Sequence, residues 1–113
     1  MKSPITPLFL AAAVLLSGTV AYAADIPDNW TKNCASCHGS DGTGHTKAGR
    51  MAQVKDMSSA DYQKKFSDDE ASKQIKEGLK DPATGKERMK AFGDKFTDAD
   101  VKALVAYVRS LQK

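Results

Sequence analysis

The sequence predicts an all-α domain of about four short helices, and two observations carry that prediction. Apolar side chains recur along the chain at helical spacing rather than in strand-like alternation. Helix-start chemistry stands before two of those apolar runs: Ser67-Asp68-Asp69-Glu70 matches a capping box, and Thr97 is followed by Asp98 and Asp100. No internal repeat or low-complexity tract points to a solenoid or a linker.

The elements follow in order. Residues 1–23 read as an address rather than as structure: Lys2 gives a positive start, Leu8 to Leu16 is apolar, and Ala21-Tyr22-Ala23 has the small-residue pattern of a signal-peptidase site. The apolar run is shorter than the roughly 18–20 residues that span a membrane. The expectation is therefore a cleaved signal peptide over 1–23 and one folded domain over 24–113. The product is then periplasmic or otherwise exported, with no stable membrane insertion after cleavage.

In that domain a first helix is expected from Pro27 or Asp28 to His38-Gly39, with Trp30, Cys34 and Cys37 on one face. The glycine-rich stretch from Gly39 to about Met57 reads as an irregular loop. Ser58 or Ser59 caps a short helix in which Tyr62 and Phe66 share a face, and the Ser67 box opens another that continues through Ile75 and Leu79. Gly78 stands where a left-handed residue often ends a helix, Asp81-Pro82-Ala83-Thr84-Gly85 blocks continuation, and Lys86 to Lys95 forms a second loop. The last helix runs from Thr97, with Val101, Leu104, Val105, Val108 and Leu111 as its apolar stripe. Trp30 and Tyr107 are expected to meet where the first and last helices cross.

Ninety residues remain without the leader, a size at which burial alone gives only marginal stability. Cys34 and Cys37 close too small a loop for a disulfide between them to staple a domain. The formal charge of +3, or +2 without Lys2, provides no electrostatic footprint for nucleic acid.

Cys34-Ala35-Ser36-Cys37-His38 has the C-x-x-C-H form of a haem-attachment motif. Near a helix end, positions i and i+3 offer two thiols to one side, matching the two vinyl groups of haem, and the next residue can turn its imidazole to the iron. Two other chemistries use similar residues. A dithiol oxidoreductase needs a βαβ setting for which the sequence has no strand signal. Zinc on Cys34, Cys37, His38 and His45 would demand a strained tetrahedron, because Cys37 and His38 are adjacent.

From Trp30 to Leu111 the sequence resembles a small monohaem class I c-type cytochrome. The resemblance rests on Cys34-Ala35-Ser36-Cys37-His38-Gly39, the glycine-rich segment after it, Met89-Lys90-Ala91-Phe92, and the terminal helix from Thr97 to Leu111. It implies a cytochrome c-like fold wrapped around one covalently bound haem c, with Cys34 and Cys37 as thioethers and His38 as the proximal iron ligand. Met51, Met57, Met89 and His45 are all within chain reach of the other axial position. Met89 occupies the position of the family's distal methionine, so the resemblance assigns it that role. Met51 and Met57 are then packing residues at the haem edge, and His45 an exposed loop residue. Many relatives have proline directly after the ligand; Lys90 stands there in this chain.

Iron held by both His38 and Met89 has no vacancy for substrate, which points to a monomeric one-electron carrier between a redox donor and a redox acceptor, not an enzyme. The alternative is a haem protein whose labile or open distal site binds small ligands or has peroxidatic activity. Lys86, Arg88, Lys90 and Lys95 surround Met89 in sequence, giving a basic rim to set against an acidic partner surface.

Overall fold

The computed structural model describes residues 2–4, 12–13 and 26–113. The expected leader over 1–23 therefore falls almost entirely outside the described residues. Among the described residues no helix is long and apolar enough to cross a membrane. The elements are α1 (Asp28–Asn33), α2 (Ala35–His38), α3 (Lys47–Met51), α4 (Ala60–Gln63), α5 (Asp68–Glu77), β1 (Leu79–Lys80), β2 (Glu87–Met89) and α6 (Asp98–Ser110).

α6, the longest helix among the described residues, is marked at its start by side-chain chemistry. Thr97 accepts from the Asp100 amide at 3.1 Å while Asp100 accepts from the Thr97 amide at 3.0 Å, so two otherwise orphaned donors are satisfied. The stripe of α6 then buries Val101, Leu104, Val105 and Val108 against α5 and α1. Trp30 and Tyr107 meet edge to face with ring centroids 5.1 Å apart, as expected, and the Tyr107 hydroxyl donates to the Ser40 carbonyl at 3.0 Å. The first and last helices are thus joined by apolar area, and the hydroxyl ties α6 to the turn that follows α2.

Three local differences from the expected layout have physical causes. The first helix is broken at Cys34, whose φ of −117° interrupts the spiral, although the Cys34 amide still donates to the Trp30 carbonyl at 2.9 Å. The glycine-rich stretch contains α3, capped by Thr46. Gly49 lies inside that helix, where glycine is ordinarily unfavourable, because any Cβ there would collide with the Cys37 carbonyl. Lastly, the segment expected as a plain loop over Lys86 to Lys95 includes a strand: Leu79 pairs with Met89 and Lys80 with Glu87 in an antiparallel ladder. Asp81 shapes the connecting turn by accepting from the amides of Ala83 and Thr84 at 2.9 and 3.1 Å. The fold remains helical in class, with six helical segments among the described residues instead of about four.

α4 and α5 are tied to α6 by Arg109. Its guanidinium donates to the Gln63 carbonyl at 2.6 Å, to Gln63 Oε1 at 2.9 Å and to the Phe66 carbonyl at 2.8 Å, and it lies 4.4 Å from the centre of the Phe66 ring. Gln63, nearly inaccessible to solvent, spends its amide donors on the Met57 and Val108 carbonyls, both at 2.7 Å. Arg109 also pairs with Asp68 at 2.8 Å, but that carboxylate is largely exposed. The carbonyl bonds should therefore dominate. Arg109→Ala is expected to cost about 2–3 kcal/mol, Arg109→Lys most of that, and Asp68→Ala under about 1 kcal/mol, read from denaturant unfolding of the three variants.

Candidate functional site

A cleft of about 830 Å³ opens between the α1–α2 segment and the β1–β2 hairpin. That volume lies within the range of roughly 300–1,000 Å³ typical of small-molecule and cofactor sites. Cys34, Cys37 and His38 form one wall and Met89 belongs to the facing one, and an adjoining apolar cavity of about 110 Å³, which shares Cys34, His38 and Met89 with the cleft, is lined by Leu104, Val108, Phe66 and Ile75. The four residues singled out in the sequence are therefore brought to one space. His45 is exposed and does not line the cleft; Met57 lines it, and Met51 is 78% exposed, which corrects its expected place at a haem edge.

The backbone at the end of the Cys34-to-His38 motif is held by two parts of the chain, the 44–46 loop and Trp30. The Cys37 carbonyl accepts from the Thr46 hydroxyl at 2.9 Å, the His38 carbonyl from the Gly44 amide at 2.8 Å, and the Gly39 carbonyl from the Trp30 indole at 3.1 Å. Three consecutive acceptors at the end of a helix are thus satisfied without water. Gly39, with φ at +80°, turns the chain away at the point where this becomes possible. Trp30 also packs on the imidazole, with ring centroids 5.7 Å apart.

The protonation states do not suit thiol exchange. Burial, and then the neighbouring Cys37, push the Cys34 thiol up to about 11, so it is protonated at neutral pH. A dithiol catalyst needs the opposite shift. Burial also holds the His38 imidazole below its ordinary value, leaving it neutral, the form that ligates metal. Its Nδ1 is buried with no hydrogen-bond partner. Among the described residues no group of three or more His, Cys, Asp or Glu is gathered to hold a metal ion, so the zinc chemistry has no donor cage.

On the facing wall, Met89 ends β2 and its position is fixed through the main chain. The ladder pairs it with Leu79, the Phe92 amide donates to the Ile75 carbonyl at 2.9 Å, and the Gly93 amide donates to the Lys76 carbonyl at 3.0 Å. Gly78, with φ at +74°, permits this approach, since a Cβ there would strike the Met89 carbonyl. The stiffness that a proline after Met89 would give is supplied here by docking onto the end of α5. The Met89 sulfur accepts from the Gln74 side-chain amide at 3.7 Å.

The mouth of the cleft is basic. Arg88, Lys90 and Lys95 line it as the sequence suggests, joined by Lys32 and Lys55, with only Glu87 and Asp94 among its lining residues of opposite charge. Lys86 is not part of the lining. Arg88 reaches Gln53 and Asp81, and Lys95 donates to Asn33 at 2.6 Å. Lys32, Lys55 and Gln74 escaped sequence reasoning because each lies on a different segment from the methionine and nothing in its local pattern marks it.

Two thiols beside a neutral imidazole, a thioether opposite and an apolar floor between them form a donor set and a shape that fit a haem. The class defined by this fold and cleft is a small helical protein built around a haem. The family model described as Cytochrome c matches residues 23–112. A solved structure titled "KustC0563 c-type cytochrome" is 37% identical with a TM-score of 0.65, covering 74% of this chain and 93% of that one. A point mutant of that protein matches at 36% identity and a TM-score of 0.63, with the same coverage. No curated protein matches. The chain belongs to the cytochrome c family, a family of haem-based electron carriers with covalently bound haem c.

Thr46 serves twice, donating to the Cys37 carbonyl and accepting from the Gly49 amide at 2.8 Å. Thr46→Val, which keeps the shape and removes both bonds, is expected to lower unfolding stability by about 1–2 kcal/mol, and Thr46→Ser to retain most of it. Denaturant titration of the haem-loaded variants measures the difference.

Proposed function

We propose that this chain is exported, loses residues 1–23, and as a 24–113 domain carries one electron at a time between protein partners. In this reading Cys34 and Cys37 form the two thioethers, His38 is the proximal ligand and Met89 the distal one. The bound haem supplies an iron that gains and loses a single electron. The observation that carries the reading is the convergence of these four side chains on one cleft, with the motif wall and the methionine wall both fixed by main-chain hydrogen bonds.

Each residue then has a defined task. Cys34 and Cys37 would hold the haem through thioethers, each thiol adding its sulfur to one vinyl carbon and its hydrogen to the other, so that nothing is lost and no oxidant is needed. Neutral His38 would offer a nitrogen lone pair to the iron and Met89 a soft sulfur that favours the ferrous state. Iron held by both would be closed to substrate, so the chain would act as a carrier rather than an enzyme. Leu104, Val108 and Phe66 exclude water from the inner edge.

Lys32, Lys55, Arg88, Lys90 and Lys95 give the mouth a positive field suited to an acidic patch on a donor or acceptor. The protein works as a monomer in the periplasm or an equivalent exported compartment, and its encounters are fast and weak.

Two measurements test this reading. The oxidised haem-loaded protein is expected to show a weak long-wavelength sulfur-to-iron charge-transfer band, lost in Met89→Ala, and the reduced parent to resist carbon monoxide. A parent that binds the gas readily and lacks the band has an open or labile distal site, and ligand binding or peroxidatic activity becomes the better reading. Second, electron exchange with an acidic partner should slow as salt rises, and slow further in Lys32→Glu with Lys90→Glu. Rates indifferent to ionic strength would remove the docking role.

A further inference from the structure

One residue in the lining of the apolar cavity beside the cleft is out of character. Among the described residues that line it, Glu70 alone brings a formal charge, since burial keeps His38 neutral and Cys34 protonated. The start of α5 does not require that charge. As a capping residue Glu70 need only accept from the Ser67 amide, which its carboxylate does at 2.7 Å, and a glutamine side chain serves a capping box equally well. The same bond fixes where the carboxylate sits. The polar and titratable groups that share the cavity from other elements are Tyr62 of α4, Cys34 and His38 of the α1–α2 segment, and none is a cation. From α6 the cavity receives Leu104 and Val108, while the Arg109 guanidinium is committed to Asp68, Gln63 and the Phe66 carbonyl. On α5 itself Asp69 is adjacent and Lys73 lies one turn on, both exposed and outside the lining.

We propose that Glu70 sets the reduction potential of this chain through its charge and couples the electron to a proton. The proposal rests on the reading of the chain as a one-electron carrier with haem in this space, and not on which residue is the distal ligand. An ionised carboxylate facing the haem stabilises the ferric state, which carries one more positive charge than the ferrous, and so lowers the potential. The effect is reciprocal. An electron arriving from the redox donor removes a positive charge from the neighbourhood of Glu70, and its carboxylate then binds a proton from solvent more readily. Glu70 is exposed, so that proton has a free path. Each electron taken up is accompanied by part of a proton at Glu70, and each electron delivered releases it. The potential therefore falls as pH rises over the range in which the reduced protein holds this proton and the oxidised protein does not.

The test compares haem-loaded Glu70→Gln with haem-loaded Asp69→Asn, which removes the same charge from the same helical turn but outside the cavity. Reduction potential is measured as a function of pH, and thermal unfolding is recorded for each protein. Glu70→Gln keeps the capping acceptor and should unfold as the parent does. Its potential at neutral pH should be higher than the parent's and should vary less with pH. Asp69→Asn should move both quantities far less. A parent-like potential and pH profile in Glu70→Gln overturns the proposal, and with a lowered unfolding temperature it leaves Glu70 as a helix cap alone. Equal shifts in the two variants reduce the effect to overall charge and overturn it as well. A raised potential whose pH dependence is unchanged assigns the proton to another group, the haem carboxylates included, and overturns the coupling. A parent with no reversible one-electron couple overturns the carrier reading and this one together.

Discussion

The apolar floor of the cleft is surface that this short chain cannot bury against itself, and that constraint organises the molecule. Trp30, Leu104 and Val108 belong both to the hydrophobic core and to the cleft lining. Core and site are therefore one structure with two faces. A domain of this size gains only modest stability from burial, so a flat apolar group seated on those side chains completes the core as well as providing the chemistry.

Seating such a group demands that its attachment points not drift. The carbonyls of Cys37 and His38 are taken by the 44–46 loop and that of Gly39 by Trp30, and Gly49 approaches the same stretch of backbone closely enough to exclude a side chain. On the other side, the hairpin that ends in Met89 is docked on α5, while Arg109 fastens α5 and the preceding turn to α6. The two walls meet in the α1–α6–α5 packing and are also bridged across the mouth, where Lys95 donates to Asn33 and Arg88 to Gln53.

Much of this was legible in the sequence where the information is local. The Ser67 and Thr97 caps and the stripe of α6 each concern residues within one or two helical turns, and each is found as expected. The Trp30–Tyr107 contact followed from helical faces alone. By contrast, α3 read as loop because Gly49 obeys a packing demand from Cys37 rather than helix propensity. The hairpin escaped because strands of two and three residues show no alternation. Met89 could be chosen among four candidates only through family resemblance, and the partners that fix it, Leu79, Ile75 and Gln74, are ten or more residues distant.

The central claim is that two thioethers anchor a haem to Cys34 and Cys37, and the mass of the exported product tests it most directly. Because each thiol adds without a leaving group, the account predicts the mass of the 24–113 polypeptide plus one whole haem, persisting through acid extraction and reduced to the bare chain when both cysteines are replaced. A product of bare polypeptide mass with two free thiols would contradict it.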